Sequence, residues 1–600
     1  MTCRMRRWTG LAMLMAAVLA APAAAQAPDN TVEVLNMAPA DAWVVVGIKN
    51  LKTLNDKVSG FCEALQLPPV QVLAMAKQQL GLNVGIDDTG AAVMAVLDMN
   101  KYPDKPFAMI LPVNDIEAMT AALNPSDAGD AVTKVDLGGQ PSFLARKGAR
   151  HYVLAPSKEI AQAVAAAPGG LAAKMTPKAL AAFAAADVFA HIDMVKFGPK
   201  AKEGLQQMPT PAPAVPGGPN PQQMLGLAAA AIDQLEAVDV AASVGQAGVK
   251  LGFLVTFKDG SELATAMADA APTDASLLRG LPAEKYLVAA GGAPSKAGQG
   301  SDLLMKWLDM SMGMLAANGQ VDAQKLANLK QTAQKFMAMM KGMSLSISVL
   351  PEGADGMVGV TEVLDVTDSA EMMKLMGPYV DQVKAMSGAE GPMAAMMGAL
   401  TYTPAAEQID GVSVDHFVMD FEKMMAAAGP QGAPPPEMMT KIKQILGTEG
   451  LLVRVAAAGP SRVAVSMGGG RERMARVLQL AKAGQAPLGD DAGIKKVAAR
   501  LPAARTGEFY LAADNIMLLI KRIMTAMGQG EMMPQVPEVN APLAVTINST
   551  GRTGEMYLFA PTEMIVAVKN MAMQFMMMRM MGGPEGPGAP APVPPQPGGF

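Results

Sequence analysis

Three histidines, His151, His191 and His416, are the only imidazoles available for proton chemistry in a chain of 600 residues. His151 in RHYVLAP and His191 in VFAHIDM lie in strand-like apolar runs, and His416 follows Asp415 in GVSVDHFVMDF. Ser413, Asp415 and His416 have the residue types of a nucleophile with its base. An extended strand, however, sends Ser413 and Asp415 to one face and His416 to the other, which excludes a local triad. Zinc patterns such as H-E-x-x-H or paired C-x-x-C do not occur. Asp88-Thr89-Gly90, in GIDDTGAAV, carries the core of the aspartic-protease signature. That chemistry needs two carboxylates sharing one proton, and the second half of the chain has no matching Asp-Thr-Gly or Asp-Ser-Gly. A polar turn leading into AAVMAVL is the reading that remains. Asp490 and Asp491, in LGDDAGIKK, read as a loop. Gly468, Gly469 and Gly470 lie between a strand and a helix, where free N–H groups can hold an anion. The spacing and Lys-Ser/Thr of a P-loop are absent, so a turn ahead of the helix is expected.

Methionine is the compositional excess, with 52 residues. Thioethers are soft Cu(I) ligands, and in MAMQFMMMRMM (residues 571–581) Met573, Met577 and Met580 follow i, i+4, i+7 spacing. Methionines are also spread through KFMAMMKGM, EMMKLM and MAAMMGAL, where they replace leucine as filler or adaptable apolar surface. No catalytic, cofactor or metal residues are assigned on this basis. At about 100° per residue the methionines of 571–581 surround the helix axis, and Lys569, Asn570, Gln574 and Arg579 interrupt the run. It is a poor membrane span, and it needs cover from the other half of the chain, a partner or its own Pro-rich tail.

The elements around these residues begin after an export signal. Arg4, Arg6 and Arg7 precede an apolar run from Leu11 to Ala21, and small residues end in Ala23-x-Ala25, which places cleavage after Ala25. Its loss moves the net charge from −5 to −8 and leaves Cys62 as the only thiol. An internal disulfide is then impossible and no basic surface for nucleic acid is expected. No later run is long and apolar enough to span a bilayer. Pro-rich stretches at 209–221 and 429–436 read as loops, and 582–600 as a disordered tail.

Between these punctuations one unit recurs: an apolar strand, helix, β-hairpin and a helix closing directly after the hairpin. Copies start at AWVVVGI (followed by a helical stretch from Leu51 to Leu80), DVFAHIDMV, EKYLVAAGG and RTGEFYLAADNIMLLIKRI. The closing helices carry Asn114 with Glu117, Asp259 with Glu262 and Asp368 with Glu371, each spaced as a capping box. Two α+β halves follow, 32–271 and 281–581, joined by a linker at 272–280 and preceded by a short segment 26–31. Each is expected to have antiparallel strands covered on one face by helices.

MAPADAWVVVGIKNLKTLNDKVSGF, GQPSFLARKGARHYVLAPSKE and GVKLGFLVTFKDGSELA resemble the large secreted proteins of environmental Gram-negative bacteria catalogued as domains of unknown function. The resemblance implies export and no known catalytic centre. The expected role is a periplasmic or extracellular, non-enzymatic protein acting by binding or as a structural part of the envelope. A carrier of an apolar ligand, lipid-like or a hydrophobic peptide, stands second and a Met-rich Cu(I) buffer third. The Met-rich helices are the expected contact for a protein or apolar partner.

Overall fold

The computed structural model describes residues 31–126, 131–137, 139–207, 221–268, 271–293, 323–386, 397–427, 436–530 and 537–580. The signal segment and the tail lie outside the described residues. So do the Pro-rich stretches, except for Pro221 and Pro436, which open the helices Pro221–Asp233 and Pro436–Leu446. Proline suits a first helical position because its missing N–H would have no intrahelical partner there.

The strands are β1 (Val44–Ile48), β2 (Ala92–Val96), β3 (Phe107–Pro112), β4 (Val132–Asp136), β5 (Pro141–Lys147), β6 (His151–Ala155), β7 (Val188–Asp193), β8 (Leu235–Gly245), β9 (Gly248–Phe257) and β10 (Lys285–Gly292). They continue as β11 (Met340–Val349), β12 (Val358–Val366), β13 (Leu400–Ile409), β14 (Val412–Met419), β15 (Leu451–Ala457), β16 (Arg462–Met467), β17 (Gly507–Leu511), β18 (Leu543–Thr550) and β19 (Thr553–Pro561). Among the described residues these 19 strands form one sheet in which every pairing is antiparallel. The pairings run β4-β5-β6-β3-β2-β1-β7-β8-β9-β19-β18-β17-β10-β11-β12-β16-β15-β14-β13.

Outward from β9 the path is β8, β7, β1, β2, β3, β6, β5, β4; outward from β19 it is β18, β17, β10, β11, β12, β16, β15, β14. The two paths visit corresponding strands in the same order, and β13 is an addition at the second edge. They meet at the β9–β19 seam, where Gly252 pairs with Tyr557.

The fold class is α+β, but the helices cover both faces of the sheet rather than one. Adjacent residues show why. Phe189 packs with Phe183 and Ile160 on one face, while its neighbour Val188 packs with Ile48 and Leu54 on the other. In β16, Ala464 meets Met474 and Val477 of the helix Gly470–Ala483, and Val463 meets Met372 of the helix Ser369–Met386. Strands apolar at both parities must be buried on both sides. The runs VVVGI and RVAVSM carry that double burial in their continuous hydrophobicity.

Other expectations shift locally. The stretch from Leu51 to Leu80 is two helices, Leu51–Ala64 and Val72–Leu80, because Pro68 and Pro69 interrupt it. Asp368 accepts from the backbone N–H of Glu371, but the caps of the first two closing helices fall later, at Asp115 and Ser261. Those helices start closer to their acidic residues than the capping-box spacing requires. Residues 272–280 are packed in place: Leu277 and Leu278 are fully buried, and the N–H of Leu277 donates to Glu508 at 2.6 Å.

Gly47 shows how tightly the first core closes. A Cβ there would stand 2.3 Å from Cζ of Phe189, whose ring stacks on Phe183 at 4.3 Å between centroids. Gly47→Ala is expected to cost about 1–3 kcal/mol through overpacking. Urea denaturation of the full chain measures it, and an unchanged midpoint would show that the Phe189 ring has room to move.

Candidate functional site: an apolar compartment beneath a latched helix

The helix Leu51–Ala64 starts at Asn50, whose side-chain oxygen accepts from the N–H of Thr53 at 2.7 Å. Its inward residues Leu51 and Leu54 face β1. The chain then turns through Gln66 at φ 58 and the two prolines, and returns as the helix Val72–Leu80, which ends on Gly81 in the left-handed conformation. No residue of this second helix is buried. It stands off the sheet and roofs a cavity of about 130 Å³. Leu51, Leu54, Leu73 and Ala76 line it from the helices, and Ile48, Val93, Met94, Met109 and Leu111 from the sheet.

Polar contacts hold the roof at both ends. At the start, buried Asn55 donates to Gln71 at 3.0 Å and accepts from the N–H of Leu73 at 3.1 Å. Towards the end, Lys77 forms an ion pair with Asp88. Asp88 belongs to the Asp-Thr-Gly turn, which is shaped by its neighbour: Asp87 accepts from the Thr89 N–H at 3.0 Å and from its hydroxyl at 2.7 Å. The hydroxyl hydrogen bond holds the Asp87 carboxyl below the usual range against the opposing effect of burial. The motif therefore acts as a turn that latches a helix.

The outside of this roof is apolar too. Leu67, Val70, Met75 and Val84 are exposed on and around it. The methionine helix, Thr562–Met580, docks beside it through Lys569, which donates to the carbonyl of Leu65. Ala567 and Met571 face inward and are buried, whereas Met573, Met576 and Met577 are exposed. The cover for this helix comes from the helix Ala513–Ala526 and from β9 and β19, with the Lys569 hydrogen bond tying it to Leu65.

The histidines and glycines are held apart from one another. His191 Nδ1 lies 2.6 Å from Asp239 across β7 and β8, both buried. His151 is half-buried in β6, and burial pushes its imidazole below the usual histidine range. Asp415 accepts from the Tyr402 hydroxyl at 2.6 Å and from the N–H of Ala405 at 2.9 Å, while His416 contacts Glu407 at 2.8 Å. A bulge between Thr403 and Glu407 brings that glutamate opposite β14. Gly468, Gly469 and Gly470 have φ of 74°, 69° and 66°, and a Cβ at Gly468 would lie 2.2 Å from the Val358 carbonyl, so backbone geometry explains the triplet. Asp491 caps the helix Ala492–Ala498, and Asp490 pairs with Lys495. Among the described residues no group of three or more His, Cys, Asp and Glu could hold a metal ion. No described helix is long and apolar enough to cross a membrane.

No known protein family's sequence profile matches the chain. No curated protein matches it either. Solved structures with detectable similarity include crystal form IV of TP0453, at 9% identity over 38% of this chain and 81% of that one, with a TM-score of 0.23. Crystal form III of TP0453 aligns at 8% identity over 49% of this chain and 98% of that one, with a TM-score of 0.21.

Sequence reading missed the compartment because its walls come from stretches that look like ordinary core, and helix-to-sheet spacing is not written in residue type. The one local sign was the proline pair splitting an amphipathic run.

The Glu407 cluster gives a pH test. Burial pushes the Glu407 carboxyl up, but hydrogen bonds from His416 and Arg454 and their charge outweigh it, so its folded value is depressed. Arg454 also bonds Glu449, and Arg471 reaches Glu407 at 3.2 Å. A depressed carboxylate stabilises above its unfolded pKa, about 4.3, and that contribution is lost as pH falls through the lower folded value. Glu407→Gln is expected to cost about 1–3 kcal/mol at neutral pH, as loss of charged hydrogen bonds does, and progressively less below about pH 4.3. Urea midpoints of both proteins across pH 3–7, roughly the span of this titration, measure it; a gap that does not shrink on acidification contradicts the assignment.

Proposed function

We propose that this chain is an exported, non-enzymatic protein that acts by binding, and that the compartment beneath the helix Val72–Leu80 takes the apolar end of its ligand. The single observation that carries the reading is a cavity walled almost entirely by aliphatic side chains under a helix with no buried residue. A cavity of about 150 Å³ lined by such groups stays dry and accepts benzene. At about 130 Å³ this one suits a ring or a short run of methylenes. Exposed Leu67, Val70 and Met75 give such a group an apolar approach. Export is supported by the basic, apolar and small-residue order of the first 25 residues. The matching strand paths on either side of the seam support descent of the two halves from one duplicated unit.

Filling the cavity tests the proposal. Benzene is expected to raise the thermal midpoint of the wild-type chain and to leave Ala76→Phe unmoved, since the new ring occupies the same space. Ala76→Phe itself is expected to be more stable by about 0.5–2 kcal/mol, as filled cavities are. An equal benzene response in both proteins would overturn the reading.

A further inference from the structure

A second concavity lies at the β9–β19 seam, away from the latched helix. Its volume is about 440 Å³, within the range of small-molecule sites. The helix Pro177–Ala185 forms one wall with Ala181, Ala182 and Ala185; Arg500 and Pro502 form the other, and Lys250, Tyr557 and Phe559 rise from the floor. The site therefore draws its walls from the two sides of the seam. Gly252 lets the Tyr557 ring pack against the floor, because a Cβ there would come within 2.9 Å of it.

The charges in this cleft do not balance. Glu555 is its carboxylate, and it is already engaged: Lys178 pairs with it and the Tyr557 hydroxyl donates to it at 3.2 Å. Among the described residues, Lys250 and Arg500 have no carboxylate in hydrogen-bonding reach, and Lys250 lies over the face of Tyr557, 5.3 Å from its ammonium to the ring centroid. Burial pulls the Lys250 ammonium below the usual lysine range, with no acid to offset it. Glu563 acts on Arg500 through space, but its carboxylate already accepts from Lys496 at 2.7 Å. Arg500 is solvent-exposed, so the cost falls on Lys250: a cation kept partly desolvated without a counter-charge is costly unless an anion arrives to complete it.

We propose that this cleft binds a small organic anion, with a carboxylate head between Lys250 and Arg500 and an apolar body against Ala181, Ala182, Ala185 and Phe559. The site is independent of the compartment beneath Val72–Leu80. The head would supply the charge-assisted hydrogen bonds that neither cation has within the protein.

Calorimetric titration of the full chain with hexanoate, and with 1-hexanol as the neutral control, tests it. Hexanoate is expected to bind and to weaken as salt rises, 1-hexanol not to compete for the site, and Lys250→Met and Arg500→Met each to weaken hexanoate by about tenfold or more. Lys250→Met removes an uncompensated cation, so it is expected to fold at least as stably as wild type, and its urea midpoint checks that. Ala76→Phe is expected to bind hexanoate as wild type does, which separates this site from the apolar compartment. Unchanged affinity in both cation variants, or loss of hexanoate binding in Ala76→Phe, would overturn the proposal.

Discussion

Nine residue pairs between β9 and β19, from Thr553 with Thr256 to Pro561 with Gly248, hold the two sides of this molecule in one sheet. Without that ladder each side would end in an exposed strand with a row of unpaired N–H and C=O groups, a template for pairing with other chains. The seam removes both edges at once. It also fixes geometry far from itself, because antiparallel register determines which side chains share a face over the whole sheet. The cleft between Lys250 and Arg500 exists only because β9 and β19 meet in this register.

A sheet apolar on both faces then dictates the layering. Helices must cover each side, and the quality of cover differs from place to place. Over the first core it is close: Phe183 stacks on Phe189 and leaves no room for a side chain at Gly47. Over β1, β2 and β3 on the opposite face, the helix Val72–Leu80 is held by its ends, through Asn55 and Lys77, and its middle stands clear. Packing contacts are lost across such a gap, and a held helix over a gap is a natural place for a ligand to substitute for the missing contacts.

Much of this architecture was legible along the chain. The strands and the closing helices follow from alternation, capping residues and turn glycines, all of which act within a few residues. The two faces of β14 were also legible, since Asp415 and His416 must diverge in any extended strand. Cap positions moved by one or two residues in two helices because several polar side chains near each start could accept the same N–H, and packing of the first apolar turn chose between them. Alternation in the hairpins points to one covered face, whereas runs such as VVVGI, apolar at both parities, require cover on both.

By itself, then, the sequence determined the class of fold, the order of its elements and the divergence of Asp415 and His416, because each depends on bonds and periodicities of short range. Only the tertiary structure decided which strands meet at the seam, where Val72–Leu80 stands clear of the sheet, and that Lys250 and Arg500, 250 positions apart, share one cleft with Glu555 already engaged. Those outcomes depend on register, helix-to-sheet distance and the balance of charge in a closed space. None of them is a property of any local stretch of residues.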